Sequence, residues 1–202
     1  MSGVIIKVEA DPADLKRAMK GLEGVESKAP RMFRNAVNRA ATQTMKRLRK
    51  GRSGYVVKAK AFNAAIEVKR ANAEHMTATI KSRDKPHSLG DGDYYKVSAS
   101  KKHGLRAKVR KGAFKPLTTS DGRKAFYAGV QTGHAGVTHW DVFQRKGEER
   151  LPIKKLAGPG VSKMVKAIFK GDHGEERLDP FIQKTLHEEI AAEIAKVKGA
   201  RK

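Results

Sequence analysis

Histidines are the first residues in this chain that could do chemistry, because an imidazole can bind a metal ion or transfer a proton. His134 and His139 stand in a glycine-rich stretch near Asp141, and His173 stands next to Asp172. None of them has the i, i+4 spacing that puts two histidines on one face of a helix, and no cysteine is present to complete a thiolate site. The sequence therefore predicts no metal site and no cofactor.

A catalytic site also lacks its usual parts. The serines do not stand in a Gly-x-Ser-x-Gly turn, which would expose a nucleophile. Asp141 and Glu148 could form a hydrolytic carboxylate pair, but turns carry acids routinely. Gly158, Pro159 and Gly160 precede a helical pattern, yet they lack the phosphate-binding glycine motifs, and Pro159 has no N–H to donate. We expect a structural turn there and no enzyme.

Two blocks of basic residues remain as candidate sites. The first ends a predicted helix, where one or two cations would suffice to complement the helix dipole. The second alternates apolar with basic residues from Leu105 to Arg110, which predicts a strand with one positive face. Few aromatic residues are interleaved, so contact with phosphate or an acidic protein is favoured over base stacking. The candidate polyanion-facing residues are Lys46, Arg47, Arg49, Lys50 and Arg52, then Lys101, Lys102, Arg106, Lys108, Arg110 and Lys111.

The overall charge also points to an anionic partner. Forty-four Lys and Arg residues against 21 Asp and Glu residues give a formal net charge of +23. Such a field attracts polyanions, although an excess of charge can also serve only to keep a surface solvated. The lack of cysteine excludes a disulfide framework, and no apolar run has the length of a membrane span or of a signal peptide core.

Residues 140–165 predict an edge hairpin that leads into a helix. Leu151 and Ile153 share one face of the predicted second strand, and Pro152 favours a sheet edge because it cannot donate to a ladder. Pro159 suits the first turn of the following helix. We expect this stretch to contact a neighbouring subunit. The candidate interface residues are Trp140, Phe143, Arg145, Leu151, Pro152, Ile153 and Pro159.

A mixed architecture must position these surfaces. Helical spacing of apolar residues predicts helices that begin near Asp11 and Ser27, and alternating patterns predict antiparallel strands from Ile66 onward. The predicted fold class is α+β, with N-terminal helices packed on an antiparallel β-sheet and with C-terminal helices. The prediction is a single domain over residues 1–202 with long basic loops at about 81–92 and 98–124 and a C-terminal helix over 176–198.

Two blocks of the sequence also follow an ordered pattern. Trp140 precedes Val142-Phe143-Gln144-Arg145, and a charged turn leads to Arg150-Leu151-Pro152-Ile153. Ala36-Val37-Asn38-Arg39-Ala40-Ala41 lies in the long predicted helix, just before the basic run 46–52. The order and spacing of these blocks resemble those of the prophage minor tail protein Z family, the tail completion proteins of long-tailed phages. The resemblance extends over roughly residues 26 to 200.

The resemblance implies a virion structural protein, made in the host cytoplasm, that completes the tail where it meets the capsid connector. It implies a homo-oligomeric ring whose partners are other tail and neck proteins, namely the tail terminator, the tail tube or the connector. The basic residues would face genomic DNA or an acidic neighbour, and no membrane is involved. The residues themselves leave a second class open, a free nucleic-acid-binding protein that uses the basic blocks.

Overall fold

The computed structural model describes residues 3–10, 20, 26–101, 104–131, 138–172 and 176–199. It combines helices with antiparallel sheets, so the predicted α+β class is confirmed. The helix predicted from Asp11, the candidate Lys102, and His134 and His173 lie outside the described residues, as does the side chain of His139.

The elements are numbered along the chain. They are β1 (Val4–Val8), α1 (Ala29–Arg52), α2 (Ala59–Ala64), β2 (Ile66–Lys69), β3 (Ala78–Ser82), β4 (His87–Ser88), β5 (Lys96–Ser100), β6 (Gly104–Lys108), β7 (Lys115–Pro116), β8 (Phe126–Gln131), β9 (Thr138–Arg145), β10 (Ile153–Lys155), β11 (Ala157–Gly158), α3 (Val161–Lys170) and α4 (Leu178–Gly199). A short 3₁₀ turn, Glu26–Lys28, precedes α1.

Contacts divide the chain into two compact units, and each is described by itself. The first unit comprises Met1–Gly51, Ala65–Arg83 and Ser162–Lys202. The second comprises Arg52–Ala64 and Asp84–Val161. The expectation of one domain over the whole chain remains a prediction.

The first unit is organised by the long helix α1. Its buried residues recur every three or four positions and form one continuous face. Alanine at positions 36, 40 and 41 of this face is at most 1% exposed, so other parts of the unit approach the helix backbone closely. Ion pairs join α1 to the C-terminal segment, from Arg39 to Glu189 at 3.6 Å and to Glu193 at 2.8 Å, and from Arg47 to Glu176 at 2.7 Å. Because the higher-numbered residue of α1 meets the lower-numbered acid, α1 and α4 run antiparallel.

The sheet of the first unit has the strand order β1-β3-β2, and both pairs are antiparallel. Ile6 and Val68 both pair with Ile80 in register, which makes an apolar row across one face. Ile6 and Ile80 are buried at 2% and 1% exposure, whereas Val68 on the edge strand is 39% exposed. The helix stripe together with Ile6 and Ile80 contributes to the core of the unit, and Val68 lies outside it.

The second unit contains most of the predicted sites. Strands β5, β6 and β7 form one antiparallel meander, β8, β9 and β10 form another, and β11 pairs with β4. The segment 98–124, predicted as a long basic loop, therefore contains β6, β7 and the end of β5. Between β6 and β7 the backbone bonds to the segment before α2 instead, since Val109 O accepts from Val56 N at 3.0 Å and Lys111 N donates to Gly54 O at 2.8 Å.

Two details of the predicted hairpin were wrong. Leu151 does not lie in the second strand, because β10 begins only at Ile153, after a cis Leu151–Pro152 peptide bond. Lys146 N instead donates to Pro152 O at 2.9 Å, and that bond closes the turn. Pro159 lies before α3 rather than in its first turn, because the helix begins at Val161.

Candidate polyanion and assembly surfaces

The basic block at the end of α1 is partly used to hold the first unit together. Arg47 places its guanidinium 5.2 Å from the centroid of the Phe181 ring while it pairs with Glu176. Arg52 donates to the carbonyl of Val57 at 3.1 Å, which fixes the chain just after the helix. Lys46, Arg49 and Lys50 are exposed. The helix block therefore offers fewer cations to a partner than the sequence suggested.

The basic block on β6 has a simpler arrangement. Leu105 and Ala107 are buried, at 8% and 6% exposure, so Arg106 and Lys108 point from the opposite side of the strand. The Phe114 ring lies beneath these two cations, with centroid distances of 5.9 Å to Arg106 and 5.4 Å to Lys108. The predicted alternation is thus present, and it gives the β5–β6–β7 sheet one apolar and one basic side.

Register places further polar groups on the basic side. Lys96 pairs directly with Lys108, and Ser98 pairs with Arg106. We call Lys96, Ser98, Arg106 and Lys108 the basic strand face. Strands β5, β6 and β7 contain no Asp or Glu. The Nε atom of Arg106 is buried and has no hydrogen-bond partner among the described residues.

The remaining basic candidates lie around this face or outside the described part. Lys101, just after β5, and Lys111, between β6 and β7, are exposed in the connections of the meander. Arg110 follows β6, pairs with Tyr55 in an isolated bridge and lies 5.0 Å from the centroid of the Tyr55 ring. Of the basic residues at the end of α1, Lys46, Arg47, Arg49 and Lys50 belong to the first unit, and Arg52 belongs to the second. The described basic residues from Lys101 to Lys111 also belong to the second unit.

The apolar side of the same sheet opens onto a cavity of about 350 Å³. Val97, Ala99 and Leu105 line it from the sheet, and Leu89, Tyr95 and Tyr127 line it from neighbouring segments. Tyr95 is 2% exposed and donates its hydroxyl to Pro159 O at 2.7 Å. Burial raises the pKa of Tyr95 well above its usual value, so the phenol keeps its proton. Among the described residues, the side chains that line the cavity are aliphatic or aromatic, and the hydroxyls of Tyr95 and Tyr127 are their polar groups.

An exposed aromatic pair lies next to this cavity on β8 and β9. Tyr127 stacks on Trp140 with ring centroids 5.8 Å apart and an interplanar angle of 22°. The two side chains are 53% and 62% exposed. Gly129 makes room for the stack, because an added Cβ would lie 3.1 Å from the Trp140 ring and 2.5 Å from Thr138 Cγ2. The sequence identified Trp140 as a candidate but missed Tyr127.

The other hairpin candidates separate into buried and exposed residues. Phe143 is 7% exposed, and its ring lies 6.5 Å from that of Phe126, so it belongs to the core of the second unit. Leu151 is 67% exposed in the turn. Arg145 and Pro152 are exposed, and Ile153 is half-buried opposite Arg145 in the β9–β10 register.

Asp141, one of the two acids considered for a hydrolytic pair, has a structural role, because its carboxylate is buried and accepts several hydrogen bonds. It is 4% exposed, and its Oδ1 accepts from Val142 N at 2.7 Å, from Gly90 N at 3.2 Å and from Ser88 Oγ. Lys155 pairs with Oδ2 at 2.5 Å. Burial alone would raise the pKa of Asp141, but hydrogen bonds from Lys155 and Ser88 hold that pKa below its usual range. The Asp141 carboxylate thus links β9 to residues 88–90 and to β10.

Comparison with known proteins identifies the chain's relatives at the family level. The family model for prophage minor tail protein Z matches residues 14–198, nearly the whole chain. The chain belongs to this family. It is a family of structural phage tail proteins, not a known enzyme family, and membership implies a place in the virion. No curated protein and no solved structure matches the chain.

The residues that carried the resemblance to the minor tail protein Z family now have observed contacts. Asn38 of α1 accepts from Ala71 N at 2.8 Å and donates to Ala71 O at 3.1 Å. Arg39, the next residue, pairs with Glu193 of α4. Gln144 is 5% exposed and donates to Arg123 O at 3.1 Å. These residues stabilise the fold, whereas Trp140 and Leu151 of the same motif are exposed.

The described residues also bear on metal binding and on membrane insertion. No group of three or more His, Asp or Glu side chains in the described ranges could hold a metal ion. Among the helices of those same ranges, none is long and apolar enough to cross a membrane.

Proposed function

We propose that this minor tail protein completes the phage tail at the joint between tail and head. In this proposal it forms a homo-oligomeric ring and contacts other tail and neck proteins, such as the tail terminator, the tail tube or the connector. Family membership supplies the tail role. The observation that supports assembly through a defined surface is the exposed stack of Tyr127 on Trp140.

The stack is suited to contact with another subunit. Aromatic side chains are enriched at protein interfaces because they combine large apolar area with little loss of rotamer freedom. Both rings are more than half exposed, and Leu151 adds a further exposed apolar side chain in the β9–β10 turn. The proposed assembly surface consists of Tyr127, Trp140, Arg145, Leu151, Pro152 and Ile153. Phe143 is left out because its ring is in the core of the unit.

The basic strand face is proposed to lie toward the DNA path or toward an acidic neighbour in the assembled particle. The same face favours a second candidate function, a free nucleic-acid-binding protein. The two functions differ in where the chain is found, since a tail component must be present in purified particles.

The test is to assemble particles with variant chains and compare them with particles that carry the normal chain. We expect the normal chain in purified virions, with its density at the joint of head and tail. Replacing both Tyr127 and Trp140 with alanine should lower the fraction of heads with joined tails, because the assembly surface loses its apolar centre. Absence of the normal chain from purified virions would overturn the proposal.

A matched control keeps this test specific. Val68→Ala removes an exposed apolar side chain from the other unit, at 39% exposure, and should leave tail joining unchanged. Circular dichroism of the purified variants checks that the Tyr127 and Trp140 double variant is folded. A folded double variant that joins tails normally would rule out this surface as the site of assembly.

A further inference from the structure

The basic strand face has a composition that is unusual for a solvated protein surface. Its four side chains all donate hydrogen bonds, and three of them carry positive charge. The three strands of the sheet supply no carboxylate to balance them. The face therefore presents positive charge and donors to whatever lies in front of it.

The register of the sheet places two of these positive charges next to each other, and their repulsion destabilises the free chain. Lys96 and Lys108 stand directly opposite each other on antiparallel strands, so their side chains leave the same face at neighbouring positions. Like charges in this position are destabilising. An anion bound between them would remove the repulsion, so the pair stabilises a bound state more than the free chain.

Arg106 adds a positioned guanidinium to this face. The group lies 5.9 Å from the centroid of the Phe114 ring, which holds it in place. A guanidinium held in this way is well suited to an anionic oxygen, because it offers its donors in a fixed geometry.

The chemistry of the basic strand face favours nucleic acid over an acidic protein as its partner. A stable protein interface usually has an apolar centre, whereas the centre of the basic strand face is Arg106, which lies between Ser98 and Pro116 in register. Arg, Lys and Ser are residues that contact phosphate oxygens, and protein–DNA interfaces are more polar and more positive than protein–protein interfaces. The aromatic residue at this face, Phe114, already lies against two cations, which leaves base stacking unsupported.

We propose that the basic strand face binds the phosphate backbone of duplex DNA without reading its bases. This inference rests on the proposed function in that it names the partner of the basic surface. Strand geometry places Arg106 and Lys108 roughly 7 Å apart along β6, with Lys96 and Ser98 roughly 5 Å to the side. Such a patch contacts a few neighbouring phosphates of one duplex segment.

The test measures how binding to a random-sequence duplex depends on salt. The slope of log affinity against log salt falls by about one unit for each phosphate contact removed. The double variant Arg106→Gln/Lys108→Gln should therefore lower the magnitude of the slope by about two. The double variant Arg106→Lys/Lys108→Arg keeps both charges and should retain most of the slope. Equal slopes for the normal chain and the Gln double variant would overturn the inference.

A charge-matched control separates this face from the general charge of the chain. Lys163→Gln/Lys166→Gln removes the same two charges from exposed positions of α3. Its slope should stay close to that of the normal chain. A loss as large as that of the Arg106 and Lys108 double variant would show that net charge alone governs binding, and would overturn the inference.

Polyglutamate tests the acidic-protein partner directly. We expect the Arg106 and Lys108 double variant to lose affinity mainly for duplex DNA, with little change for polyglutamate. A loss for polyglutamate equal to or greater than the loss for DNA would assign the face to an acidic protein and overturn the DNA assignment. These results are independent of the particle experiment, because the chain can be absent from virions and still bind DNA, or be present and not bind.

Discussion

Asn38 shows how one side chain of the family motif acts in this chain. Its amide makes a two-way hydrogen bond with the backbone of Ala71, between strands β2 and β3, and so fixes that loop to helix α1. Ala71 is 5% exposed, so its backbone groups have little access to water if the amide is removed. The motif residue therefore acts as a clamp between a helix and a sheet connection.

Replacing Asn38 with alanine should lower the free energy of unfolding by roughly 1–3 kcal/mol, since partly buried backbone groups lose their partner. Urea denaturation measures this change. Gln43→Ala, at a half-buried position of the same helix, serves as the control and should change stability by less than about 0.5 kcal/mol. Equal effects of the two substitutions would contradict the clamp.

Asp141 predicts a dependence of stability on pH. The folded-state pKa of this carboxyl lies below its usual value because Lys155 and Ser88 stabilise the charged form against the effect of burial. A depressed folded pKa contributes stability that is present above the unfolded pKa of about 3.9 and is lost as pH falls through the folded pKa. We expect Asp141→Asn to reduce stability at pH 6, and the difference from the normal chain to shrink toward pH 3. Urea denaturation across that range checks this, and a constant difference would contradict it.

At the scale of elements, strand β8 depends on a residue with no side chain. Gly129 leaves the space in which Trp140 lies across the sheet, and an added methyl group would overlap Thr138. We expect Gly129→Ala to destabilise the second unit by roughly 1–3 kcal/mol and to shift the fluorescence of the single tryptophan. Gly147→Ala is the matched control, because nothing lies within 4 Å of the added atom. Unchanged fluorescence in Gly129→Ala would contradict the role of this glycine.

In the sheet of β5, β6 and β7, one substitution should raise the free energy of unfolding rather than lower it. Lys96→Gln removes one of two like charges that face each other across the β5–β6 pair. The free chain should become more stable by roughly 0.2–1 kcal/mol at low salt, and the gain should fall as salt screens the repulsion. Thermal unfolding at two salt concentrations measures both effects. A loss of stability would show that Lys96 has a stabilising contact instead.

The elements themselves were largely predictable from local patterns. The stripe of α1 and the alternation from Leu105 to Arg110 follow from residue spacing, and both are present. The exposure of Tyr127 and the burial of Phe143 were not predictable, because both stand in apolar strands and only the three-dimensional packing decides which face is covered. The role of Asp141 was hidden for a related reason, since its partner Ser88 is 53 residues away in sequence.

At the scale of the whole molecule, the two units differ in how they are held together. In the first unit, α1 and α4 are joined by ion pairs from Arg39, by the contact of Arg47 with the Phe181 ring, and by the hydrogen bond from Asn35 to Glu193, residues that are 158 positions apart. The second unit combines two antiparallel meanders with the β4–β11 pair, and it carries both the aromatic pair and the basic strand face. The surfaces proposed for assembly and for DNA thus belong to one unit, and the other unit supplies a helical framework of its own.

The connectivity of the chain has a consequence for the order in which the protein is made. The second unit is complete in sequence at Val161, whereas the first still needs Ser162–Lys202. At ribosomal rates of roughly 5–20 residues per second, those residues take seconds to appear, far longer than a local meander needs to form. Asn35 and Arg39 of α1 therefore lack their partner Glu193 while the second unit is already complete in sequence. Chains cut short before Leu178 should keep the stack of Tyr127 on Trp140 and lose these contacts of α1, which tryptophan fluorescence and urea denaturation of the shortened chain would check.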